Sequence, residues 1–202
     1  MEDTYNTILE PSEGNFKDRG SKFHAFAYPV YNEDQIKSIQ QELRKEYYDA
    51  RHHCFAWRLG ADKDRYRAND DGEPSNSSGM PILGQIQSFD LSNILVVVIR
   101  YFGGTKLGIP GLINAYRTAT AEAIKSAEII TKTVNDFYKV NFSYAAMNDV
   151  MKIIKDENII NTDQVFELEC SLIINVRKKE ITDIISKLKK INSVKLEYLK
   201  TE

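Results

Sequence analysis

The chain has 202 residues with 27 basic and 29 acidic side chains, a formal net charge of -2, and 42% hydrophobic residues. That suffices for one or two domains with real cores and excludes wholesale disorder. No apolar run approaches the roughly 20 residues that span a bilayer, the start lacks a signal pattern, and Cys54 and Cys170 are too few for a disulfide framework. A cytoplasmic protein without a membrane partner is the expectation.

The pattern along the chain predicts strands at 4–10 and 22–30, a helix at 33–48, and a strand at 52–60. A polar loop, a short helix at about 79–89, a strand at 93–101 and a long helix from 108 to about 130 follow. Strand 93–101 is almost wholly apolar and β-branched, as expected of a strand buried on both faces. In strand 52–60, Phe55, Trp57 and Leu59 share one face, and His52, Cys54, Ala56 and Arg58 the other. Strands at 132–143, 159–168, 169–177 and 194–199, with helices at 144–156 and 179–190, give the order βαββαβ. All ten glycines and all five prolines lie between Pro11 and Gly111, so the two halves differ in kind. A boundary near Thr131 divides the chain into domains 1–130 and 131–202, of α+β class. Residues 131–202 carry 12 basic and 11 acidic side chains, and residues 1–130 carry 15 and 18. Neither half has the basic excess of a non-specific nucleic-acid binder.

Chemistry concentrates in the first half. The segment Ile99-Arg-Tyr-Phe-Gly-Gly-Thr-Lys-Leu-Gly108 leads from the buried strand into the long helix. Gly103, Gly104 and Gly108 permit positive φ and close backbone approach, the helix start favours an anion, and Arg100 and Lys106 add charge. Thr105 offers a hydroxyl in the same loop. The same glycines could equally serve only to turn a tight strand-helix corner, with Tyr101 and Phe102 filling core. A second segment, Asn69-Asp-Asp-Gly-Glu-Pro-Ser75, crowds Asp70, Asp71 and Glu73 into four residues. They could hold Mg²⁺ or a basic partner, or decorate a solvated turn. Ser77, Ser78 or Gly79 can begin the following helix. A third, Arg19-Gly-Ser-Lys22, sets Arg19 and Lys22 around a turn that contains Ser21. His52, His53 and Cys54 lack partners at metal-ligand spacing, so a packed or hydrogen-bonded strand end is expected rather than a metal site.

Together these segments resemble the IMPACT/YigZ family, in its bacterial two-domain form. Arg19-Gly-Ser-Lys-Phe23, His52-His-Cys54, Asn69 to Ser75, Gly79-Met-Pro-Ile-Leu83 and Val98 to Gly108 occur in that family's order. The resemblance covers roughly residues 16–120. It implies an N-terminal domain like ribosomal protein S5 domain 2 and a ferredoxin-like C-terminal domain resembling domain V of translocating elongation factors. It also implies a role in translation regulation, with no enzymatic activity attached. One position departs: Asn76 stands where relatives are expected to have glycine.

Three functions fit. The first is a binding module that contacts RNA, the ribosome or a translation-regulatory protein. Arg19, Ser21, Lys22, Ser75, Ser78, Gly79, Arg100, Gly103, Gly104, Thr105, Lys106, Gly108 and Arg117 would bind an anion, and the acidic loop Asp70, Asp71 and Glu73 would order or mask them. This reading needs no cofactor or metal and assigns no catalytic residue. The second is an enzyme acting on a phosphorylated small molecule, and only there would Mg²⁺ enter. The third is a protein-protein adaptor.

Overall fold

A computed structural model describes residues 3–202. In chain order the strands and helices are β1 (Thr4–Ile8), β2 (Ser12–Asp18), β3 (Ser21–Pro29), α1 (Glu33–Glu46), β4 (His52–Leu59), β5 (Arg65–Asn69), α2 (Gly79–Ser88), β6 (Ile94–Tyr101) and α3 (Gly108–Ser126). They continue as β7 (Ile129–Thr133), β8 (Asn135–Ser143), α4 (Met147–Asp156), β9 (Ile160–Phe166), β10 (Glu169–Arg177), α5 (Ile181–Leu188) and β11 (Lys195–Thr201). The mixed α and β content agrees with expectation. Among the described residues, no helix is long and apolar enough to cross a membrane.

Contacts divide the chain into two units, Tyr5–Lys132 and Thr133–Glu202, the latter also holding Asp3 and Thr4. In the first, an antiparallel sheet has the order β2-β3-β6-β4-β5. Residues 94–100 of β6 are all buried, because apolar layers cover both faces of this central strand. One layer joins Phe23, Cys54, Ala56, Val96 and Val98 to Ile82 and Ile86 of α2 and to Leu112, Tyr116 and Ala119 of α3. The other joins Trp57, Leu59, Leu95 and Val97 to Ile36 and Leu43 of α1. The alternation read in strand 52–60 therefore separates two cores.

Two strands escape the pattern. β2 and β5 lie where no strand or a polar loop is expected, because each is an edge strand with a largely polar sequence. The helix expected to run to about 130 ends at Ser126, and Ile129 and Ile130 belong to β7 instead.

In the second unit the order βαββαβ is present, with sheet order β11-β8-β10-β9. Its core joins Val140 and Phe142 of β8 and Leu172 and Ile174 of β10 to Val150 and Ile154 of α4 and Ile184 and Leu188 of α5.

Candidate functional site

Register brings the motif segments to one end of the five-stranded sheet. Phe23 and His52 both pair with Arg100, Lys22 pairs with Tyr101, and Phe55 pairs with Asn69. The β2–β3 turn, the start of β4, the end of β5 and the β6–α3 loop thus meet there. The turn and the loop interlock through backbone. A Cβ built on Gly103 would lie 1.9 Å from the Gly20 carbonyl carbon and 2.1 Å from the Ser21 nitrogen. The Gly103 N–H donates to the buried Ser21 Oγ (3.1 Å). Glycine is therefore required at 103 by close approach, and Ser21 acts as an internal acceptor.

The three carboxylates of the acidic loop do not share a site. Asp71 and Gly72 take left-handed φ values of 41° and 87°, which fans the side chains apart. Asp70 caps α2: its Oδ1 accepts from Ser78 N (3.0 Å), Gly79 N (2.8 Å) and Ser78 Oγ (2.8 Å), and its Oδ2 from Asn76 N (2.8 Å). The cap thus comes from nine residues upstream of the helix start, whereas the Ser78 hydroxyl donates rather than caps. Asn76 adopts φ 61°, the left-handed conformation that a glycine would take at lower cost. Asp71 accepts from Arg44 Nη2 (2.8 Å) and the His53 N–H (2.6 Å), and its carbonyl accepts from His52 Nδ1 (2.9 Å).

Glu73 turns inward. Its side chain is 4% exposed, and Oε1 accepts from Arg100 Nη1 (2.6 Å) and the Tyr116 hydroxyl (2.8 Å). Arg100 is 8% exposed and lies near the Phe23 and Phe102 rings at 5.5 and 5.7 Å. This corrects one expectation: Arg100 is bound to an internal carboxylate rather than presented to a ligand. Tyr116, on the buried face of α3, closes the network through its hydroxyl. Burial pushes its pKa far up, so it stays a donor. Cys54 donates to the Asp70 carbonyl (3.0 Å), and its sulfur lies 3.3 Å from the Tyr116 hydroxyl. Burial drives the Cys54 thiol up to about 12, so it is protonated at neutral pH and a poor nucleophile. His53 is buried with neither ring nitrogen bonded among the described residues, and burial followed by the Arg44 charge pulls its pKa down.

The Asp70 pKa lies below the ordinary carboxylate value: burial opposes ionisation, and the hydrogen bonds from Gly79, Ser78 and Asn76 outweigh it. A depressed folded-state value contributes stability that is present above the unfolded value near 3.8 and lost as pH falls below it. Asp70→Asn is expected to cost about 1–2 kcal/mol at pH 7 and to flatten stability below about pH 4, as measured by urea melts across pH.

The basic residues behave differently. Arg19, Lys22, Lys106 and Arg117 are exposed, and among the described residues none has a carboxylate within 4 Å. Arg19 holds φ 44° at the β2–β3 turn. Gly104, with φ 88° and no atom within 4 Å of a built Cβ, and Thr105 lie exposed beside Lys106, ahead of Gly108 at φ 71°. Ser75 is also exposed. Arg117 instead lines a depression with Asn76, Met80 and Ile113 between α2 and α3. Phe102 is 58% exposed and so does not fill core. Among the described residues, no group of three or more His, Cys, Asp or Glu side chains is placed to hold a metal ion.

Comparison with known proteins agrees with the family resemblance. The Impact N-terminal domain model matches residues 19–124. An IMPACT family member of Haemophilus influenzae is 29% identical over 178 residues, 87% of this chain and 86% of its own length. The IMPACT family member YigZ of Escherichia coli is 34% identical over 134 residues, 64% of this chain and 66% of its own. A crystal structure of a hypothetical protein has the same fold, with a TM-score of 0.75, 24% identity and 99% of both chains covered. With more than half of its length matched by the family's domain and its motifs gathered at one sheet end, this chain belongs to the IMPACT/YigZ family.

Proposed function

We propose that the chain is a non-enzymatic binding module of translation, and that its loop cluster contacts the phosphates of RNA, such as those of the ribosome. One observation carries the reading: the acidic loop is consumed internally. Asp70 caps a helix, Asp71 holds Arg44 and the start of β4, and Glu73 holds Arg100 and Tyr116. The carboxylates of the acidic loop are therefore committed to partners within the scaffold, while Arg19, Lys22 and Lys106 remain exposed at the same sheet end. Backbone N–H groups of a glycine-rich loop and three unpaired cations suit phosphate oxygens. The same commitments remove the ligands that a Mg²⁺-dependent enzyme would need from the acidic loop. The translational setting is carried over from the family resemblance.

We read the first unit as the S5 domain 2-like fold and the second as ferredoxin-like. The sheet order β11-β8-β10-β9 on a βαββαβ chain supports the second assignment.

The test is a titration of labelled RNA with the native chain and Lys106→Glu, together with a pulldown from lysate that scores protein and RNA. Lys106→Glu is expected to weaken RNA binding several-fold and evenly across sequences, as loss of a phosphate contact does. Capture of a protein partner without RNA would overturn the phosphate reading and leave the adaptor.

A further inference from the structure

Beside the cluster, at the same sheet end, lies a depression of about 400 Å³ lined by residues of the α1–β4 connection, the start of β4 and the end of β6. Its walls include Asp49, Arg51, His52, Arg100, Tyr101 and Phe102. Three features make it a built surface. Phe102 leaves 58% of its area uncovered, yet its ring is steadied by the Arg100 guanidinium, which Glu73 in turn fixes. The Tyr101 hydroxyl donates to Asp49 Oδ1 (2.8 Å), which ties the opposite wall in place. Arg51 is exposed with no carboxylate within 4 Å among the described residues, and Arg100 Nε is buried without a partner. A largely exposed aromatic ring in the same depression as a free guanidinium is the pairing that takes a base on its π-face and a phosphate on its charge.

We propose that this depression accepts one unpaired nucleotide of RNA, its base stacked on Phe102 and its phosphate on Arg51. The inference deepens the RNA reading above and rests on it. About 400 Å³ holds a ligand the size of a nucleotide. A base inside a duplex is stacked on both sides and cannot offer its face to a side chain, so the occupant must come from a single-stranded stretch, bulge or end. The phosphates on either side would then run to Lys22 and Arg19, since Lys22 pairs with Tyr101 and Gly103 packs on the turn that carries Arg19. Stacking on an aromatic face tolerates any base, so no sequence preference is expected from this contact.

The experiment titrates the full chain with a single-stranded ten-nucleotide RNA carrying one 2-aminopurine, and with the blunt duplex of the same sequence at equal salt. The single strand is expected to bind at least about tenfold more tightly, with quenching of the 2-aminopurine as it stacks. Phe102→Ala should lose about tenfold in affinity and most of the quenching, with the salt dependence unchanged, and Phe102→Tyr should restore both. Salt-dependent RNA binding to which Phe102→Ala makes no difference, or equal affinity for strand and duplex, would overturn this inference alone. Absence of any RNA binding by the native chain would overturn it together with the reading it rests on.

Discussion

Glu73→Gln is expected to lower the stability of the first unit by about 3–5 kcal/mol, the largest single-residue effect outside the apolar cores. The amide keeps the size of the side chain and a hydrogen-bond acceptor for Tyr116 but removes the only carboxylate within 4 Å of Arg100 among the described residues. A guanidinium 8% exposed is then left in a poorly solvating site. At roughly 2–4 °C per kcal/mol for a chain of this size, the midpoint should fall by about 10 °C. Trp57 is the sole tryptophan and sits in the apolar layer beneath α1, so its fluorescence follows the first unit. The double variant Glu73→Met/Arg100→Met should lose less than the sum of the single changes, because an apolar pair strands no charge. Additive losses in that cycle would mean that the ion pair carries no coupling and that Glu73 acts through packing alone.

Gly103→Ala is the second large effect. The added methyl would meet backbone atoms of Gly20 and Ser21 at 1.9 and 2.1 Å, and neither can rotate away as a side-chain tip could. Loop and turn must separate, which also breaks the Gly103 N–H to Ser21 Oγ bond. A cost of about 3 kcal/mol, at the upper end for overpacking, is expected, together with loss of RNA affinity as Arg19 and Lys106 move apart. Gly104→Ala is the internal comparison. No atom lies within 4 Å of its built Cβ, so only the φ of 88° opposes the substitution, at about 1–2 kcal/mol. Urea melts that rank Gly104→Ala above Gly103→Ala in cost would contradict the interlock.

Much of the fold was legible because burial writes a strong pattern. β6 is continuously apolar, and the alternation in β4 sorts its side chains between two cores. β2 was invisible for a physical reason. Its Gly14 lies where a Cβ would come within 2.2 Å of the Ala123 nitrogen on α3, and a glycine inside a polar edge strand reads as a turn. β5, with Arg65 and Arg67 exposed, looked like a loop on the same grounds.

The site segments were visible because glycine and proline punctuate them, yet the role of each side chain was not. Asp70, Asp71 and Glu73 lie within four residues, which suggests one cluster, but the successive left-handed residues Asp71 and Gly72 send them to different partners. Arg100 looked like a free cation because its partner lies 27 residues away in the chain. Tyr116 carried no signal beyond its place on an apolar helix face, since a hydroxyl at the end of a buried ring does not alter periodicity. Of the two roles open to the 99–108 segment, core filling does not hold for Phe102, because the chain has already left the sheet at Tyr101.

The central claim, that spent carboxylates leave unpaired cations free for RNA phosphates, is tested most directly by the salt dependence of RNA affinity. The logarithm of the binding constant for single-stranded RNA should fall linearly with the logarithm of salt concentration. Arg19, Lys22 and Lys106 should together contribute about −2 to that slope, which becomes shallower by roughly 0.7 for each of them removed. Affinity independent of salt, or a slope unchanged when all three are neutralised, would contradict the account.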